Sequence, residues 1–106
     1  MQPIEARFDG RTILSKADFY AAIEGIPGTP DWFGRNLDAL FDLVLAAIQA
    51  PLTIHWTHAE VSAKSMGTDF DTVVGVLRDA ETEPRSRFRL NLTQGAAEAE
   101  TTGSNA

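Results

Sequence analysis

Cysteine is absent from this chain of 106 residues. That removes a disulfide scaffold, a thiol nucleophile, an iron–sulfur site and a cysteine-rich zinc site together. No apolar run approaches the roughly 20 residues that cross a bilayer. The opening MQPIEARFDG has neither the basic nor the apolar region of an export signal, so a cytoplasmic protein is expected and the Asn91-Leu92-Thr93 sequon is put down to chance. Positive charge is also scarce. Nine Lys and Arg face fifteen Asp and Glu, for a net charge of −6. The whole excess lies between Asp31 and Glu83, where nine acids meet three bases; elsewhere six balance six. Such a stretch repels nucleic acid and membranes and suits a basic partner, or else is a solvated face kept for solubility. The hydrophobic share, 43%, is ordinary and sufficient for one compact domain.

Periodicity gives the elements. Ile4, Ala6 and Phe8 alternate with Glu5 and Arg7, which predicts a half-buried strand closed by Asp9-Gly10. Ser15 caps a short helix, with Asp18 as its capping-box acid and Phe19, Ala22 and Ile23 on one face. The breaker-rich Gly25-Ile26-Pro27-Gly28-Thr29-Pro30 ends it. Asn36 then caps a helix from Leu37 to about Gln49, whose Leu37, Leu40, Phe41, Val44, Ala47 and Ile48 form an apolar stripe. Pro51 stops that helix. Leu52, Ile54 and Trp56 alternate in a second strand, and Ala59 to Met66 reads as a short helix ended by Gly67. Asp69 opens another helix through Phe70, Val73, Val74 and Leu77, and Phe88, Leu90 and Leu92 make a third strand after Pro84. Residues 1–93 read as one domain. The tail 94–106 has no large apolar residue and reads as disordered.

Helical crossovers between successive strands predict an α/β fold with a parallel sheet and right-handed connections. Alternating strands then require the helices to pack mainly on one face, because parallel strands covered on both faces read as continuous apolar runs.

The inventory for chemistry is thin. No serine sits in a nucleophile elbow, and no glycine-rich loop could cradle phosphate. His55 and His58 are three apart across a strand end and point to opposite faces, so no metal and no cofactor is expected. Asp38 and Asp42 stand out. Their i, i+4 spacing stacks two carboxylates on one helix face, at a small cost to the helix. They follow Asp31-Trp32-Phe33-Gly34-Arg35, a loop with two large aromatics. Rings beside carboxylates suit a recognition patch, the rings supplying area and the acids charge complementarity. Phe33 leans to the core; for Trp32, core and interface stand level.

The string Pro30-Asp31-Trp32-Phe33-Gly34-Arg35-Asn36-Leu37-Asp38-Ala39-Leu40-Phe41-Asp42 resembles the signature of the barstar family, intracellular inhibitors of barnase-type ribonucleases. Pro51 to Trp56 resembles the family's second strand, and Val73 to Ala80 its last helix. The resemblance implies a small three-stranded parallel sheet with helices packed against it, and a binding surface rather than an active site. On it, Asp38 and Asp42 would stand in for RNA phosphates in the ribonuclease active site, with Asp42 inserted deepest. Trp32 and Gly34 match loop positions, Asn36 lies in the signature as the helix cap, and Asp79 matches a late-helix acid. Phe41 stands where the prototype has Trp, on the core stripe, and Ala46-Ala47 replaces a Gly-Trp pair.

The expected function is stoichiometric inhibition of a basic ribonuclease by a monomer, without catalysis, nucleic acid or membrane. The alternative is an interaction or immunity module that uses the same fold against another basic partner. An enzyme using the aspartate pair ranks third.

Overall fold

The alternating strands find each other in one parallel sheet. The computed structural model describes residues 2–48 and 50–95. Strands β1 (Ile4–Asp9), β2 (Leu52–Thr57) and β3 (Phe88–Leu92) lie in that order, with Ile4, Leu52 and Phe88 in register. Ala6, Phe8, Leu52, Ile54, Trp56, Phe88 and Leu90 are buried on one face. Their neighbours Glu5, Arg7, Arg89 and Asn91 are exposed on the other. Helices α1 (Lys16–Glu24), α2 (Leu37–Asp42), α3 (Ala59–Met66) and α4 (Thr68–Glu81) complete the fold, and their apolar faces join the strands in a single core. On the open face His55 bonds Glu5 on β1, and Asn91 Nδ2 on β3 reaches His55 Nδ1 at 3.3 Å. His58 instead sits in a left-handed turn (φ 50°) at the entrance to α3, so the two imidazoles serve separate places.

The core is centred on Trp56, which is fully buried. Its ring meets Phe8 of β1, Phe19 of α1 and Phe70 of α4, with centroids 6.0, 5.4 and 5.2 Å away. A buried indole N–H needs an acceptor. Ser62 Oγ of α3 accepts from it at 3.0 Å and in turn donates to the Gly10 carbonyl at 2.9 Å. Glycine is required at that turn, since a Cβ on Gly10 would lie 2.1 Å from the His58 carbonyl oxygen.

The caps form as the sequence implies. Ser15 Oγ accepts from Asp18 N–H at 3.1 Å, while the Asp18 carboxylate accepts from Leu14 N–H. Asn36 Oδ1 accepts from Ala39 N–H at 2.8 Å. The helix after Asn36 differs from the expected single run to Gln49. It is α-helical only over Leu37–Asp42 and continues as a π turn over Leu43–Ala47, closed by Ile48 N–H to the Leu43 carbonyl at 3.1 Å. Leu40, Leu43 and Val44, at i, i+3 and i+4, are buried on its inner face. Gln49 lies outside the described residues. Helix α4 begins at Thr68, one residue before Asp69. Of the tail, Gly95 is held by His58 N–H, which donates to its carbonyl, and by Glu60; residues 96–106 lie outside the described residues.

Side chains close the outer edge of β3. Leu90 N–H donates to Glu81 Oε2 at 3.0 Å, Arg78 donates to the Leu90 carbonyl at 2.8 Å, and Phe88 N–H donates to Ser86 Oγ at 3.1 Å. Burial pushes the Glu81 carboxyl up, but the Leu90 and Arg78 hydrogen bonds outweigh it and hold the group below the ordinary 4.5.

Two outcomes are expected in urea denaturation. Ser62→Ala leaves the buried Trp56 N–H without its acceptor and the Gly10 carbonyl with the Ile13 N–H alone, and should cost about 1–3 kcal/mol. Glu81, with its lowered folded value, contributes stability present above 4.5 and lost as pH falls through that value. Glu81→Gln should therefore weaken the protein at neutral pH and flatten the fall in its midpoint as pH drops below 4.5.

Candidate protein-docking surface

A recognition surface must expose its contact groups while holding their backbone still. Residues 30–36 expose Trp32 and are anchored at Phe33 and Arg35. Phe33 is buried at 8% exposure against Tyr20 of α1, ring centroids 5.9 Å apart, whereas its neighbour Trp32 is 79% exposed. The two aromatics, adjacent in sequence, therefore split into an anchor and a free ring. This places Trp32 outside the core.

Arg35 fastens the far end of the loop. It adopts a left-handed conformation (φ 50°) that turns the chain into α2. Its guanidinium donates to both Glu24 carboxylate oxygens, at 2.8 and 2.7 Å, across eleven residues. Each group holds the other's charge: the Arg35 hydrogen bonds lower the Glu24 carboxyl and Glu24 raises Arg35. An exposed pair of this kind adds little stability. What it supplies is position, tying the loop to the C-terminal end of α1. Gly34 is explained by its neighbour. A Cβ there would come within 3.1 Å of Asn36 Nδ2, which donates to the Gly34 carbonyl while Oδ1 of the same side chain caps α2.

Asp38 and Asp42 are both exposed on α2, one turn apart. Asp38 borders a shallow groove of about 440 Å³ shared with Lys16, Tyr20 and Arg35. Burial and the Asp69 carboxylate hold the Tyr20 phenol above its ordinary value. Asp79 is exposed on α4, the helix that packs against α2. Seven of the nine acids between Asp31 and Glu83 are exposed; Asp69 and Glu81 are half-buried. Phe41 differs from its expected place as a core residue. It is half-buried and packs against the core from the side, because the inner positions of the turn go to Leu40, Leu43 and Val44. Past it, Leu45 and Ala46 face Glu83, Pro84 and Arg85 across a groove of about 380 Å³.

Of the expected residues, Trp32, Gly34, Asn36, Asp38, Phe41 and Asp42 lie along one continuous loop–helix segment, and Asp79 lies on α4, an element that packs against α2. Glu24 and Tyr20 escaped the sequence reading. Both lie on α1, and nothing local in the chain marks a partner eleven or thirteen residues away. Among the described residues no cluster of three or more His, Asp or Glu is arranged to hold a metal, and no helix is long and apolar enough to cross a membrane.

Comparison with known proteins identifies relatives of the chain. The family model described as Barstar (barnase inhibitor) matches residues 4–93. A Bacillus subtilis (strain 168) protein named "Putative ribonuclease inhibitor YrdF" is 36% identical over 61 residues, which cover 58% of this chain and 67% of that protein.

The two rings should separate in stability measurements. Phe41→Ala removes a half-buried ring and should cost about 1–3 kcal/mol. Trp32→Ala should leave the denaturation midpoint within about 0.5 kcal/mol of the parent. A larger loss for Trp32 than for Phe41 would make the loop a core plug.

Proposed function

Because the chain belongs to the barstar family, a family of inhibitors and not of enzymes, we propose that it blocks a basic, barnase-type ribonuclease by filling the active site with the loop–helix surface. The observation that carries this reading is the exposed Asp38–Asp42 pair, directly behind an exposed Trp32 on a loop pinned at Phe33 and Arg35. Two carboxylates one helical turn apart present anionic oxygens at a spacing that suits a site built for successive phosphates. A ribonuclease active site is lined with cations that bind phosphate, so the inhibitor competes with RNA for them and undergoes no chemistry. Trp32 adds apolar area beside the acids, and Asp79 adds charge from α4. The fixed loop limits the entropy lost on docking. Such an inhibitor works in the compartment where the enzyme would be harmful, the cytoplasm.

A second reading, a different basic partner, is favoured by one feature. The exposed, groove-lining Ala46 and its neighbour Ala47 stand where the prototype carries a Gly-Trp pair at the interface border. A flatter border admits a partner of another shape.

The test is titration of barnase-type ribonucleases with the protein, in which inhibition should saturate at one to one. Activity left intact across the whole panel overturns the reading. Asp42→Ala should weaken binding by more than about 2 kcal/mol, a hot-spot loss for which the family's own barnase–barstar pair is the reference case. Its stability should be unchanged or slightly higher, since an i, i+4 repulsion is relieved. The association rate should fall steeply as salt rises to physiological strength, with dissociation changing less.

A further inference from the structure

The sheet has two edges and treats them differently. Along β3, the outward groups of Phe88 and Leu90 are met by Ser86, Glu81, Arg78 and Arg89. Along β1, Ile4 N–H donates to the Pro51 carbonyl and Gly10 N–H to the Thr57 carbonyl. In a parallel ladder this fixes the even-numbered residues of β1 toward β2 and turns Glu5, Arg7 and Asp9 outward. Among the described residues, only the Asp9 carbonyl has a partner on that outer side, namely Thr12 through both N–H and Oγ1. The N–H and C=O of Glu5 and Arg7 and the N–H of Asp9 stand open. Beside them lies a hollow of about 690 Å³, walled on the α1 side by Ala21, Ala22, Gly25 and Ile26. The α1 residues in that wall, Ala21 and Ala22, are small.

Open edges recruit strands unless they are blocked. We infer that the β1 edge is an interface for a second copy of this chain, paired antiparallel about a two-fold axis with Glu5 of each copy opposite Arg7 of the other. Charge and backbone select this register together. Antiparallel partners directly opposite share a face of the sheet, so each Glu5 carboxylate, now bonded to His55, comes within reach of a guanidinium. Two such ion pairs form by symmetry. One step along, Pro3 lies opposite Asp9. Pro3 has no N–H to donate, and the Asp9 carbonyl, already bound to Thr12, needs none. The remaining registers fail. Placing Arg7 opposite Arg7, or Glu5 opposite Glu5, sets like charges together. Placing Arg7 opposite Asp9 demands the occupied Asp9 carbonyl and a carboxylate already held by Arg11. The product is a continuous six-stranded sheet that leaves the loop–helix surface of each copy outside the new contact.

Sedimentation velocity of the full chain over a concentration series tests this. A concentration-dependent dimer is expected. Arg7→Glu and Glu5→Arg, each checked for folding by circular dichroism, should each move the monomer–dimer midpoint up by at least about tenfold, through like-charge pairs. An equimolar mixture of the two variants restores opposite charges at both positions and should dimerise at least as well as the parent. Arg7→Pro, which removes an outward N–H without touching the β2 ladder, should abolish the dimer. A monomer up to about 1 mM overturns the inference. So does a dimer indifferent to both charge reversals.

Discussion

Trp56 is the residue through which the parts of this molecule hold together. It stands in the middle strand and touches β1, α1 and α4 through rings and α3 through a hydrogen bond. A sheet covered on one face has one place where every crossover can meet, and the largest side chain occupies it. The N–H of that side chain has to be satisfied in a dry interior. Ser62 and the Gly10 carbonyl do so, and the His58 backbone lies so close to Gly10 that only glycine fits. The turn after β1, the turn after β2 and the start of α3 are thereby fixed as one unit.

That unit lets the opposite end of α1 do something else. Phe19 and Ile23 face the core, leaving Tyr20 to seat Phe33 and Glu24 to hold Arg35. The loop over residues 30–36 is anchored at Phe33 and Arg35 by a helix that itself packs on Trp56 through Phe19. Exposure of Trp32 follows from this. One ring of the pair is spent on anchoring, and the other is left for solvent or a partner.

Much of this could be read along the chain because it is local. Alternation at Ile4–Phe8, Leu52–Trp56 and Phe88–Leu92 specifies which face of each strand is buried, and Ser15 and Asn36 cap within three residues of themselves. What escaped is nonlocal or breaks the period. The π turn at Leu43–Ala47 hides in a stripe that fits an α-helix nearly as well. Phe41 sits at the flank because Leu40, Leu43 and Val44 take the inner positions. Nothing near Glu81 announces that it will close a strand edge nine residues later. The Asp38–Asp42 pair was legible as an oddity of spacing, and its meaning came from the loop before it.

An all-parallel sheet also dictates an order of events. Ile4 pairs with Leu52, and Leu52 with Phe88, so no strand has a neighbour close in sequence to zip against. Every ladder closes a long loop, which makes folding slow for a chain of this size. On the ribosome β1 emerges first and waits, at about 5–20 residues per second, a few seconds for β2 to follow. Throughout that interval both of its edges are open.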